Sequence, residues 1–88
     1  MKRLKITVEG HVQGVFFRDS TRNKAVELGI CGFVCNQPNG NVYIEAEGEY
    51  QLLESFIQWC HKGPKLARVD NVKVVECRPQ KEGNFIIT

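Results

Sequence analysis

The sequence predicts an α+β fold, in which one sheet carries two helices on the same face. Four stretches alternate apolar and polar side chains, as half-buried strands do, and two stretches space their apolar residues as amphipathic helices do. Glycine, proline and asparagine separate these stretches. The stretches follow each other in the order β-α-β-β-α-β, and a short apolar segment at the end predicts a fifth strand.

The first half of the chain is predicted to hold three strands and one helix. Residues 3–9 alternate as a strand, and the apolar residues of 17–28 recur at helical spacing. Residues 30–36 and 42–47 alternate again, and residues 37–40, Gln-Pro-Asn-Gly, have strong turn chemistry. The second and third strands are therefore expected to form a hairpin.

The second half is predicted to hold one helix and two strands. Residues 50–62 carry an apolar stripe at helical spacing, which Gly63-Pro64 ends. Residues 69–77 are predicted to form the fourth strand and residues 85–88 the short fifth one. Residues 78–84, which include a proline and a glycine, are expected to form the turn or loop between them.

The order of the elements also predicts a topology. Right-handed crossovers in the two β-α-β halves place the first four strands in the spatial order 4-1-3-2, with antiparallel neighbours and both helices on one face. This arrangement is an antiparallel, ferredoxin-like sandwich. A chain of 88 residues suits one such unit, so residues 1–88 are expected to form a single domain.

The composition is that of an ordinary globular protein. Hydrophobic residues make up 42% of the chain, charged residues make up 25%, and the net charge is +2. This charge is too small to indicate binding to nucleic acid or to a membrane. No apolar run approaches the about 18 residues of a membrane span, and Thr7 and Glu9 interrupt any signal-peptide core. We therefore expect a cytoplasmic protein, and a monomer by default.

The cysteines give no sign of a metal centre. Cys31, Cys35, Cys60 and Cys77 form no C-x-x-C pair, and no histidine falls at zinc-finger spacing. We interpret them as reduced thiols that pack as small hydrophobic side chains, with a disulfide or a metal site as the alternative. No cofactor is expected.

A glycine-bracketed loop follows the first strand, over residues 10–18 (GHVQGVFFR), and its final arginine lies at the predicted start of the first helix. The first N–H groups of a helix have no partner within it, and the helix dipole favours an anion there. A guanidinium adds a planar pair of donors that matches phosphate oxygens. The sequence therefore predicts an oxyanion cradle, in which we expect a phosphoryl group, or a phosphate or sulfate ion, to bind.

Residues 10–18 resemble the acylphosphatase fingerprint G-x-V-Q-G-V-x-F-R at every fixed position. A second and separate motif, residues 34–36, also fits that family, and the similarity extends over nearly the whole chain. The chain departs from the family pattern at Cys35, where a basic residue is common, and at Asn39, where an aspartate is frequent. It also has Thr88 at its end, where many relatives carry an aromatic residue.

The resemblance implies a small, metal-free hydrolase of acyl phosphates. It implies that Arg18 and the loop amides bind the phosphoryl group, and that Asn36 holds the attacking water. We expect Gly14 to allow a close backbone approach, Phe17 to lie in the core, and Val15 and Phe16 to pack under or beside the loop. The residues whose N–H groups are expected to face the anion are Gln13, Gly14, Val15, Phe16, Phe17 and Arg18.

The predicted topology and the chemistry of the residues agree with this interpretation. The first and second strands run parallel, so the loop and Asn36 are expected at the same edge of the sheet. No histidine, glutamate or cysteine is placed as an evident base beside the loop, since His11 is interpreted as a rim residue and His61 as a helix-end residue.

This lack of a proton donor limits the leaving group. Without a general acid, only a weakly basic leaving group departs quickly, and a carboxylate, whose acid has a pKa near ~4, qualifies. We therefore expect a small-molecule acyl phosphate as substrate. We expect water to attack in line. The resemblance to the family implies that the proton of this water passes to a phosphoryl oxygen.

Three other functions are the alternatives to this prediction. The same fold occurs in RNA-binding modules, which use exposed aromatic residues on the central strands. It also occurs in metal chaperones, which need a C-x-x-C loop that this chain lacks. A non-catalytic domain that binds phosphate or carbamoyl phosphate within a larger protein is the third alternative.

Overall fold

A computed structural model of the chain describes residues 1–81 and 83–88. It contains the predicted elements in the predicted order: β1 (Lys2–His11), α1 (Phe17–Leu28), β2 (Cys31–Asn36), β3 (Val42–Gly48), α2 (Tyr50–Lys62), β4 (Arg68–Cys77) and β5 (Phe85–Ile87). The predicted loop 78–84 contains Glu82, which lies outside the described residues. Among the helices that the structure describes, none is long and apolar enough to span a membrane.

The five strands form one sheet in the order β4-β1-β3-β2-β5. The predicted order of the first four strands is confirmed, and each pairs antiparallel with its neighbours. The fifth strand differs from the expectation of an antiparallel sheet, because β5 pairs parallel with β2 and makes the sheet mixed. Two backbone bonds flank this pair: the Gly32 N–H donates to the Asn84 carbonyl at 2.8 Å, and the Thr88 N–H donates to the Val34 carbonyl at 2.9 Å.

The hydrophobic core lies between the sheet and the two helices. On the central strands, the residues of one face are buried, among them Ile6 and Ile44, and both helices add buried side chains to the same cluster. Phe17 of α1 packs against Trp59 of α2 with ring centroids 5.5 Å apart, and Trp59 in turn stacks on Phe56. The helices therefore cover one face, as predicted, and leave the other face of the sheet without a helical layer.

This second face carries a buried ion-pair cluster. Arg3 of β1 has a side chain that is 0% exposed, and it faces two carboxylates of β3. Its Nε donates to Oε1 of Glu45 at 2.8 Å, and its Nη1 donates to Oε1 of Glu47 at 3.3 Å. The sequence pattern placed these residues on the polar side of half-buried strands and did not predict that Arg3 and Glu47 would be buried.

Glu47 also holds the chain that leads from β4 to β5. Its side chain is 3% exposed, and it accepts the N–H groups of Gln80 at 2.7 Å and Lys81 at 2.9 Å. These bonds, together with Arg3, lower the pKa of Glu47 in spite of its burial. Glu47 therefore holds the segment after β4 against the face of the sheet that carries no helices. This segment leads from β4, at one edge of the sheet, to β5, which pairs with β2 at the other edge.

The substitution Glu47→Gln tests this anchor, because it keeps the size of the side chain and removes its charge. We expect the free energy of unfolding at pH 7 to fall by about 2–3 kcal/mol, measured by urea denaturation. The folded-state pKa of Glu47 lies below its usual value of 4.5, so the ionised carboxylate stabilises the fold above that pH. This stabilisation is lost as the pH falls through the pKa that Glu47 has in the folded state.

Wild-type stability should therefore decrease more than that of Glu47→Gln between pH 5 and pH 3. Glu54→Gln, at an exposed position of α2, is the matched control and should behave as wild type. Equal stability of Glu47→Gln and wild type at pH 7 would show that the carboxylate does not hold the connection.

Candidate active site

A pocket of about 390 Å³ lies at one edge of the sheet, where the loop after β1, the start of α1 and the end of β2 meet. Arg18 and Asn36 both line it, although they are distant in the sequence. The other lining residues are Val12, Gly14, Phe16, Phe17, Asp19 and Ile87. A larger groove of about 670 Å³ lies between α1 and β5, but neither Arg18 nor Asn36 is among the residues that line it.

The sheet topology accounts for this convergence. β1 and β2 both pair antiparallel with β3, one on each side, and they therefore run parallel to each other. Their carboxyl ends point to the same edge of the sheet, so the loop after β1 and Asn36 at the end of β2 meet there. The expected approach of Asn36 to the loop is confirmed.

The loop has two residues with left-handed backbone. Gly14 has φ 74°, and Phe16 has φ 64° and ψ 25°. An added Cβ at Gly14 would meet no atom within 4 Å, so the left-handed φ, and not lack of space, is what favours glycine there. Successive turns of this kind direct backbone N–H groups toward a common concave side, which suits an anion.

The start of α1 adds further donors at the same place. The Ser20 N–H donates to the Phe16 carbonyl at 3.1 Å, and the N–H groups before it in the first turn have no acceptor within the helix. Within the described part of the chain, no side chain caps this end of α1. The helix terminus is therefore open to a bound anion, next to the Arg18 guanidinium.

Gln13 uses its side chain to tie the loop to the turn that follows Asn36. Its Nε2 donates to the carbonyls of Gln37 and Asn41, both at 2.8 Å. These two carbonyls belong to the turn between β2 and β3, so one side chain holds the loop against the chain end that carries Asn36. Gln13 and Val15 were both predicted to face the anion through their N–H groups, but neither is among the residues that line the pocket. The sequence predicts a role for the Gln13 N–H alone, and this tie through the side chain was not predicted.

The apolar residues of the loop point in different directions. Val15 and Phe17 are buried, as expected for a residue under the loop and a residue of the helix stripe. Phe16 is 71% exposed, so its ring lies beside the loop at the mouth of the pocket and is not packed beneath it. His11 ends β1 with an exposed side chain, and His61 lies in the last turn of α2.

Three lining residues were not predicted as site residues: Val12, Asp19 and Ile87. Val12 is a buried residue of the loop. Asp19 follows Arg18 in the first turn of α1, where a carboxylate complements the helix dipole, and that placement is the signal that could have indicated it. Ile87 reaches the pocket because β5 pairs with β2, with Ile87 opposite Val34. This long-range pairing leaves no local pattern in the sequence. In the described part of the chain, no three His, Cys, Asp or Glu side chains cluster so as to hold a metal ion.

The chain is similar in sequence and in structure to proteins of one family. A family model described as Acylphosphatase matches residues 4–87. An acylphosphatase of Rubrobacter xylanophilus is 51% identical over 75 residues, which are 85% of this chain and 68% of that protein.

Solved structures are similar over the whole chain. A crystal structure of acylphosphatase from Bacillus subtilis aligns with a TM-score of 0.97 and 34% identity, and covers 100% of this chain and 99% of that one. HypF from T. kodakarensis aligns with a TM-score of 0.88 and 36% identity, over 100% of this chain and 12% of that one.

The substitution Gln13→Ala tests the tie between the loop and the turn. It leaves the Gln37 and Asn41 carbonyls without the donor they share, and we expect the free energy of unfolding to fall by about 1–2 kcal/mol. Amide hydrogen exchange of residues 37–41 should become faster. Gln51→Ala, at an exposed position of α2, is the control and should change neither quantity. Unchanged stability and exchange in Gln13→Ala would show that the two bonds do not hold the loop.

Proposed function

Since this chain belongs to the acylphosphatase family and hydrolyses acyl phosphates, we propose that the pocket containing Arg18 and Asn36 is its active site. The observation that carries the proposal is that one pocket joins a guanidinium, an open helix start and a carboxamide. The family assignment favours this activity over an RNA-binding module, a metal chaperone or a non-catalytic phosphate-binding domain.

Binding of the phosphoryl group is assigned to Arg18 and to the loop. The guanidinium donates to two phosphoryl oxygens at once, and the N–H groups of residues 13–18 surround the remaining charge. The left-handed φ values of Gly14 and Phe16 support this role, because they turn the backbone donors toward one side. An inorganic phosphate or sulfate ion binds at the same place.

Attack by water is assigned to Asn36. Its carboxamide can accept a hydrogen bond from the water and donate one to a phosphoryl oxygen, which holds the water in line with the bond that breaks. The P–O bond to the carboxylate breaks as the new P–O bond to water forms, and the proton of the water passes to a phosphoryl oxygen. The reaction therefore depends on positioning and on stabilisation of charge, not on a covalent intermediate.

The leaving group follows from the same residues. The described lining contains no histidine, cysteine, lysine or tyrosine, so it offers none of these side chains as a proton donor for the leaving group. A carboxylate needs no proton in order to leave, whereas an alkoxide does. The site is therefore suited to mixed anhydrides and not to ordinary phosphate esters.

We also propose that the enzyme works as a monomer in the cytoplasm. The groups assigned to the reaction all belong to one chain, which supports a monomer as the active form. Cys31, Cys35, Cys60 and Cys77 are free thiols, which fits a reducing cytoplasm. Burial raises the pKa of Cys60 to about 12, so this thiol is inert. No cofactor or metal is assigned a role.

Hydrolysis of two aromatic substrates in the presence of a chelator tests the proposed chemistry. Benzoyl phosphate should be hydrolysed, and p-nitrophenyl phosphate should not, because only the first releases a carboxylate. The chelator should leave the rate unchanged. Comparable hydrolysis of both substrates would contradict the leaving-group argument, and loss of activity on chelation would contradict a metal-free reaction.

Substitution of the two site residues separates binding from attack. We expect Asn36→Ala to lower kcat for benzoyl phosphate by about 10²–10³-fold, and Arg18→Ala by at least as much, since each removes a donor that acts on the transition state. Arg18→Ala should also raise the inhibition constant of inorganic phosphate, whereas Asn36→Ala should change that constant little.

Arg22→Ala is the matched control, since Arg22 is an exposed arginine one turn further along α1 and outside the pocket lining. It should retain wild-type turnover. Turnover near that of wild type in Asn36→Ala would remove the water-positioning role.

A further inference from the structure

An aromatic ring stands exposed at the mouth of the proposed active site. Phe16 is 71% exposed and lines the same pocket as Arg18 and Asn36. Its backbone is left-handed, which is unfavourable for a residue that has a Cβ, and it is fixed there as the residue that precedes α1. The position of the ring is therefore set by the loop and not by packing in the core.

The direction of the reaction decides which part of the substrate the ring can meet. In-line displacement places the attacking water and the leaving carboxylate on opposite sides of the phosphorus. With the water at Asn36, the acyl group extends away from the end of β2. Of the apolar lining residues, Ile87 lies on the β2 side, opposite Val34 in the sheet, whereas Phe16 lies on the loop. Val12 and Phe17 also line the pocket on this side, but both are buried. Phe16 is therefore the exposed apolar side chain available to the acyl group.

The charges of the pocket restrict that acyl group further. Among the described lining residues, Arg18 is the one cation and Asp19 the one carboxylate. The phosphoryl group occupies Arg18, so a second negative charge on the acyl group would meet no free cation in the lining and would lie near Asp19. An uncharged acyl group needs no second cation and is not repelled by the Asp19 carboxylate.

We propose that this enzyme selects acyl phosphates whose acyl group is uncharged and apolar, with the Phe16 ring as the contact that recognises the acyl group. This inference rests on the proposed function of the pocket. It assigns phosphoryl binding to the loop backbone and Arg18, and selectivity among substrates to the side chains of Phe16 and Asp19.

The ratio of kcat/KM for benzoyl phosphate to kcat/KM for acetyl phosphate tests the contact. Asparagine tolerates left-handed backbone, so Phe16→Asn removes the ring with little change to the loop. Any residual effect on the loop acts on both substrates and cancels from the ratio. We expect the ratio to fall about 3- to 10-fold in Phe16→Asn, since an aromatic contact with the benzoyl ring is lost.

Leu66→Asn is the matched control, because Leu66 is an equally exposed apolar residue, at 65%, outside the pocket lining. It should leave the ratio and the activity unchanged. An unchanged ratio in Phe16→Asn would overturn the contact.

The charge restriction is tested with a matched pair of substrates. 4-Carboxybenzoyl phosphate differs from benzoyl phosphate by one negative charge on the acyl group. Wild type should prefer benzoyl phosphate, and Asp19→Asn should reduce that preference about 2- to 5-fold. Equal use of the two substrates by wild type would overturn the restriction to uncharged acyl groups.

Failure of this inference is distinguishable from failure of the proposed site. If Arg18→Ala and Asn36→Ala lose activity as expected while Phe16→Asn keeps the wild-type ratio, the site stands and only the assigned selectivity is wrong. If those two variants retain activity, the pocket itself is wrongly assigned.

Discussion

The pairing of β1 and β2 with opposite sides of β3 is the constraint on which the site depends. Because both pairs are antiparallel, β1 and β2 are parallel and end at the same edge of the sheet. No local interaction could bring Arg18 and Asn36 into one pocket, since separate elements carry them. The sheet register therefore determines the chemistry: a slip of one residue in β2 would turn the side chain of Asn36 to the other face of the sheet.

Much of this arrangement could be predicted from the sequence, because it follows from local signals. The alternation in residues 3–9 and the helical spacing in 17–28 define their elements, and handedness rules then fix the strand order. The convergence of the loop and Asn36 follows from that order alone. The burial of Arg3 could not be predicted in this way. An arginine on the polar face of a strand shows the same sequence pattern whether that face contacts solvent or another segment of the chain.

The features that sequence analysis missed depend on contacts between distant segments. The position of Ile87 in the pocket follows from the parallel pairing of β5 with β2, which depends in turn on the path of the preceding connection. The Gln13 side chain is engaged by the Gln37 and Asn41 carbonyls, and no spacing rule links it to them. The exposure of Phe16 results from a left-handed turn that is usual for glycine and uncommon for phenylalanine.

The same long-range contacts connect the stability of the fold to the site. Glu47 holds Gln80 and Lys81 on the face of the sheet opposite the helices, and the chain then continues into β5. β5 adds the Ile87 side chain to the pocket, and the Thr88 N–H bonds to the Val34 carbonyl, two residues before Asn36. Gln13 fixes the chain just beyond Asn36 from the other side. An asparagine that orients a water must hold its position closely, because small displacements cost much of the rate. The buried ion pair on the far face therefore supports the end of β2, and with it the residue to which we assign the water.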